Sequence, residues 1–98
     1  MKTFRLDLMR CDKIPEGELR QDYFYYCEKS HTAVHLCACG CGSRVVTPIA
    51  YEGQPSGRGA FRLHATIDNL VTLDRPIVNV HLPCYSRYYI RSSRIEWL

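Results

Sequence analysis

The stretch His35-Leu36-Cys37-Ala38-Cys39-Gly40-Cys41-Gly42 constrains this chain more than any other. It packs three thiols, one imidazole and two glycines into eight residues. Zinc needs thiolates converging at about 2.3 Å, which places sulfurs roughly 3.8 Å apart. Alternate residues of an extended strand lie about 6.6 Å apart. Thiols at 37, 39 and 41 therefore reach one ion only if the chain bends between them. Gly40 and Gly42 permit that bend because they accept positive φ. The strand is expected to end near Cys37, and residues 39–42 to form a tight knuckle.

Cys84, after Pro83, is the natural fourth ligand, and it would close a long loop from the middle of the chain. His35 shares the strand face of Cys37 and is a rival ligand or a base. A four-cysteine set would be closed and structural, whereas a catalytic site would keep one position open for water.

The rest of the composition supports a metal over disulfides. The chain has 98 residues and six cysteines. Its start, Met1 to Asp7, carries charges where a signal peptide would need an apolar run. No apolar stretch approaches membrane-spanning length. The expectation is a cytoplasmic protein with no membrane partner, whose clustered thiols stay reduced and bind Zn2+. Ninety-eight residues make one domain, 1–98, short enough to profit from a metal staple. Cys11 and Cys27 lack ligand spacing and are read as plain thiols.

Hydrophobic periodicity points to strands. Phe4, Leu6 and Leu8 alternate with Arg5 and Asp7, and Tyr23 to Tyr26 form an aromatic run. Ala33, His35 and Cys37 face one way, with Thr32, Val34 and Leu36 opposite. Further strands are expected over 44–50, over Phe61 to Ile67, and over Pro76 to Leu82. Gly53, Pro55, Gly57 and Gly59 mark a loop expected to be the most mobile segment. Tyr88-Tyr89-Ile90 and Ile95-Glu96-Trp97 flank a turn at Ser92-Ser93. The fold class is mainly β, a small single-domain zinc-stapled antiparallel fold.

Four readings of chemistry follow. Ser86 lies two residues from Cys84 and would approach the metal and His35, so Ser86 is a candidate nucleophile with His35 as its base. Thr66, Asp68 and Asn69 are either a donor cluster for an oxyanion or an Asx-stabilised turn. A zinc-bound water with Glu28 or Asp68 as base is a weaker option, because no His-Glu-x-x-His pair is present. Arg87, Arg91 and Arg94, interleaved with Tyr85, Tyr88, Tyr89 and Trp97, could contact nucleic acid. A net charge of +3 with scattered cations gives that reading little long-range field.

Several of these residues also carry a resemblance. Thr32-Ala33-Val34-His35-x-Cys37-x-Cys39-Gly40-Cys41-Gly42, Val45-Val46-Thr47-Pro48, Pro83-Cys84-x-Ser86-x-Tyr88-Tyr89-Ile90 and Ile95-Glu96-Trp97 together resemble a small bacterial family of ubiquitin-like (Bub) conjugation operons. The likeness spans about residues 22–98. It implies a peptidase that processes or removes a ubiquitin-like modifier, with that modifier as partner. Two positions depart from the family pattern. Ser86-Arg87 stands where the family reads Ser-His, and Thr66-Ile67-Asp68-Asn69 stands where it reads Ser-Ile-x-Asn. Arginine stays charged and cannot serve as a base, so if that histidine is the family's general base, a substitute such as His35 or His81 is needed, or the chain is inactive.

The leading expectation is a zinc-binding peptidase-like protein, a candidate deconjugating hydrolase of a bacterial ubiquitin-like pathway, cleaving at the modifier C-terminus. Ser86 and His35 would be its catalytic pair, and Cys37, Cys39, Cys41 and Cys84 its metal set. The alternative is a catalytically inactive zinc-stapled binding module for protein or nucleic acid.

Overall fold

A computed structural model describes residues 5–50 and 60–98. The described chain is all β. Nine strands run in order as β1 (Asp7–Cys11), β2 (Tyr23–Cys27), β3 (Thr32–Leu36), β4 (Arg44–Pro48), β5 (Leu63–Ala65), β6 (Val71–Leu73), β7 (Ile77–Val78), β8 (Arg87–Arg91) and β9 (Arg94–Trp97). No helix among the described residues is long and apolar enough to cross a membrane.

The strands form a four-stranded sheet β1-β2-β3-β4, a hairpin β5-β6 and a three-stranded sheet β7-β8-β9. Every pairing is antiparallel except β1 with β2, which run parallel with Cys11 beside Cys27. That exception corrects a purely antiparallel expectation. Its cause is the polar segment 12–22, which crosses back over one sheet face rather than turning tightly. Leu19 of this crossover packs on Tyr25 and Val34 in a small secondary core.

The main core lies on the opposite sheet face. Leu8, Phe24, Ala33 and Val45 meet Val71, Leu73, Ile77, Tyr88, Ile90 and Ile95 there. Each contributes one side of a period-two pattern, as in β4, where Val45 and Thr47 point in while Arg44, Val46 and Pro48 point out. The first and third sheets are joined by a bridge from Arg5 to Arg94 and by the Leu6 N–H, which donates to the Ser93 carbonyl at 2.8 Å. The wall of the molecule therefore reads β4-β3-β2-β1-β9-β8-β7. Among the described residues its two ends, β4 and β7, have no named strand on their outer sides, although the Phe61 N–H donates to the Pro48 carbonyl at the far end of β4. They face each other across a seam.

Several strands are shorter than the periodicity predicts. The expected strand from Phe61 to Ile67 keeps only Leu63–Ala65, because Thr66 to Leu70 turn into β6. Ile67, at the tip of that turn, is 98% exposed. The segment Pro76 to Leu82 is strand only at Ile77–Val78; beyond Asn79 the chain turns, with the Leu82 N–H donating to the Asn79 carbonyl. Strand β6 was not anticipated, since three residues are too few to show a period. The loop containing Gly53, Pro55, Gly57 and Gly59 lies outside the described residues, as does Phe4.

Candidate functional site

The knuckle forms where the two glycines allow it. β3 ends at Leu36, and the Gly40 N–H then donates to the Cys37 carbonyl at 3.0 Å. Gly40 and Gly42 sit at φ of 88° and 83°. A Cβ at either would meet nothing within 4 Å, so glycine is needed here for its backbone freedom and not for space. The turn is held from outside by Gln21, whose Nε2 donates to the Cys37 carbonyl at 2.9 Å.

This turn joins β3 to β4, and Cys84 lies in the turn joining β7 to β8. The two turns therefore sit at the same end of the seam. Across it the sulfurs of Cys37, Cys39, Cys41 and Cys84 all lie within 4.8 Å of one another. Individual separations are 3.4 Å for Cys37–Cys39 and 3.8 Å for both Cys37–Cys84 and Cys41–Cys84. Those lengths match the roughly 3.8 Å edge of a tetrahedral four-thiolate site. The donor set fits a soft divalent ion such as zinc. The four cysteines thus form a cluster capable of holding a metal ion.

The thiols hold their protons unequally. Cys41 is drawn down to about 6, chiefly by hydrogen bonds from the Ser43 side chain and backbone. Cys84 is lowered by the corresponding bonds from Ser86. Cys39 is pushed up to about 12 by desolvation and by the neighbouring thiols. Four thiolates this close repel one another, and a cation that all of them touch removes that conflict.

Ser86 is buried against the cluster rather than presented to solvent. Its Oγ lies 2.9 Å from Cys37 Sγ and 3.4 Å from Cys84 Sγ, and it accepts a hydrogen bond from Asn79 Nδ2 at 2.9 Å. With Asn79 as donor, the hydroxyl hydrogen is left for the Cys37 sulfur. A hydroxyl used this way orients a metal ligand and spreads its negative charge.

His35 takes a different direction. It is fully buried, stacked on Phe24 with ring centroids 5.5 Å apart, and its Nε2 meets the Tyr88 hydroxyl at 2.7 Å. That hydroxyl also accepts from the Ala38 N–H at 3.3 Å. Burial drops the His35 pKa to about 4 and raises that of Tyr88, so both rings are neutral near pH 7. The sulfur cluster closes without His35. Ser86 and His35 are linked only indirectly, through Tyr88, Asn79 and Cys37. Tyr88 and Asn79 are the two residues of this network that sequence reasoning missed. A tyrosine in an aromatic strand and an asparagine after a β-branched pair look like ordinary core and turn residues.

The other candidates disperse. Thr66, Asp68 and Asn69 make the β5–β6 turn, in which Thr66 Oγ1 accepts from the Leu70 N–H and Asn69 has φ of 62°. Glu28 pairs with Arg10 at 3.4 Å. In the arginine–aromatic set, Tyr88 is core, and Arg91 pairs with Glu96 at 2.8 Å while lying over the Tyr89 ring. Tyr85, Arg87 and Trp97 do converge, beside Cys39, Cys84 and Ser86, around a cavity of about 220 Å³.

Fold and cluster together define a small all-β domain with four thiols gathered at the end of its wall and a serine packed against them. A family model described as "Bacterial ubiquitination-like system serine protease (BubE)" matches residues 10–98, and the chain belongs to that family. The match extends the expected resemblance back through the β1–β2 crossover. No curated protein and no solved structure matches the chain. Membership in a protease family makes this a candidate peptidase of a bacterial ubiquitin-like system.

One expectation needs correction. A zinc-binding peptidase-like protein cleaving at the modifier C-terminus does not fit these findings. The family is named for serine chemistry, not metal chemistry. The thiol cluster already supplies four ligands, the full set of a structural site. The alternative reading, a zinc-stapled module without catalysis, fits better.

Proposed function

We propose that this chain is a zinc-stapled binding module for a protein partner in a bacterial ubiquitin-like system, working in the cytoplasm without hydrolysing that partner. The observation that carries the reading is the bonding of Ser86. Its hydroxyl lies against Cys37 Sγ and takes the amide hydrogen of Asn79. A serine nucleophile needs a base within hydrogen-bond reach, and the hydrogen-bond partners of Ser86 Oγ are two sulfurs and an amide. The next residue is Arg87, where the family pattern has histidine. The nearest imidazole in the network is neutral and already engaged by Tyr88.

Zinc on Cys37, Cys39, Cys41 and Cys84 would supply structural chemistry, tying the β3–β4 turn to the β7–β8 turn. Ser86 and Asn79 then hold the Cys37 sulfur in place. A ubiquitin-like modifier is the partner that family context favours. Nucleic acid is disfavoured because Arg91 is neutralised by Glu96 and Tyr88 is core.

The test is to incubate the purified zinc-loaded chain with modifier fusions and with free modifier. Intact fusions, about one zinc per chain and a measurable complex are expected. Cleavage that disappears in Ser86→Ala would overturn the reading and restore Ser86 as a nucleophile.

A further inference from the structure

The seam between β4 and β7 has the thiol cluster at one end, and among the described residues no backbone ladder crosses its middle. There a cavity of about 100 Å³ is lined by Val45, Val46, Thr47, Phe61, Ile77 and Val78, with Asn79 and His81 at its margin. Three observations make this more than a surface dent. First, it is bounded by two strand edges. The pairing of β4 with β3 turns the backbone groups of Val45 and Thr47 inward and leaves those of Val46 facing out. The Ile77–Tyr88 and Asn79–Ser86 pairings leave those of Val78 facing out in the same way. Second, three β-branched apolar side chains along these edges, Val46, Val78 and Val80, are exposed. Third, Thr47 is 2% exposed, yet its Oγ1 has no hydrogen-bond partner among the described residues. A buried hydroxyl without a partner costs about 1–3 kcal/mol unless something arrives to bond it.

Charge narrows the occupant. Residues 29–50 and 75–95, which supply both edges and the strands behind them, contain no aspartate or glutamate. They do contain His81 and Arg87, and Arg87 pairs in register with Val78; Arg44 instead donates to the carbonyls of Pro15, Glu16 and Gly17 on the crossover. The geometry points to this seam as a docking site for an extended strand of a partner protein, one with alternating β-branched residues flanked by carboxylates. Backbone bonds to Val46 and Val78 would give affinity, and Thr47 with Arg87 would give selectivity. An added strand would continue the wall at Val46 and Val78, before the point where Phe61 bonds the end of β4. This rests on the reading of the chain as a protein-binding module and names where the partner sits.

The experiment titrates the zinc-loaded, isotope-labelled full chain with the blocked peptide EVTVTVE and with its lysine-flanked counterpart KVTVTVK, following backbone amides. Shifts at Val46 and Val78, slowed amide exchange there and weaker binding of the lysine-flanked peptide are expected. Thr47→Val, nearly isosteric and so expected to fold, should bind EVTVTVE several-fold more weakly. Val46→Pro, which removes the outward N–H at an exposed edge position, should abolish the shifts. Absence of shifts at both valines at millimolar peptide would overturn the proposal. So would shifts confined to Tyr85 and Trp97, or changes at the seam that follow protein concentration alone and so signal a second copy of the chain. Hydrolysis of a modifier fusion would sink the binding-module reading without moving these amides. A silent titration would sink the seam without restoring hydrolysis.

Discussion

At the scale of single residues, the side chains around the cluster are set by their hydrogen-bond partners more than by their type. Ser86 is the clearest instance. Exposed, it would be a turn residue; against Cys37 it is the hydrogen-bond partner of a sulfur in the cluster. Ser86→Ala is expected to leave the fold intact and to weaken zinc binding about 10- to 100-fold, as loss of a ligand's supporting bond typically does. Competition with a chromophoric chelator measures this. Tyr88→Phe strips a partner from His35 Nε2, a fully buried nitrogen, and from the Ala38 N–H. A loss of about 1–3 kcal/mol in denaturant unfolding is expected. Gly40→Ala should cost about 1–2 kcal/mol despite the open space around it, because the penalty is for φ of 88° and not for contact. Sequence reasoning reached the glycines and the four thiols, since both are spacing rules. It could not reach Asn79 or Tyr88, whose roles depend on contacts with residues more than forty positions away or across a turn.

At the scale of elements, the C-terminal hairpin was legible and its partner was not. Ser92 and Ser93 both have positive φ, and the flanking strands pair from Tyr88 with Trp97 to Arg91 with Arg94. The turn does more than reverse the chain. The Ser93 N–H donates to the Val71 carbonyl at 2.7 Å, and its Oγ accepts from the Val71 N–H at 2.8 Å. The turn thereby docks the short strand β6. Ser93→Ala would strand a buried N–H and is expected to cost about 1–3 kcal/mol, with accelerated exchange at Val71. Ser92 is exposed, and its backbone N–H bonds Thr72 Oγ1. Ser92→Asn should keep that bond and gain a few tenths of a kcal/mol from a residue better suited to positive φ. Two opposite signs at adjacent serines would separate local turn preference from tertiary docking.

At the scale of the whole molecule, the thiol cluster and the edges of the wall lie together. The wall from β4 to β7 has an edge at each end, and exposed edges invite pairing with other chains. The four thiols gather at the turns, where an ion held by all of them would close the seam. Chelation at neutral pH is therefore expected to release the β7–β8 turn and lower the unfolding midpoint sharply, read by near-ultraviolet circular dichroism of the core aromatics. Cys84→Ser should behave like the chelated protein, whereas Cys11→Ser, outside the cluster, should behave like the parent.

The sequence by itself determined the strands with clear alternation, the glycine knuckle, the four clustered thiols and the family. All of these are local spacings or short motifs, and local sterics and ligand chemistry suffice to read them. Only the tertiary structure decided that Ser86 faces a sulfur instead of an imidazole, that β1 and β2 run parallel, and that β4 and β7 leave a seam. Those outcomes depend on which strand lies beside which. Alternation specifies which face of a strand is buried, but it carries no information about the neighbour across the core.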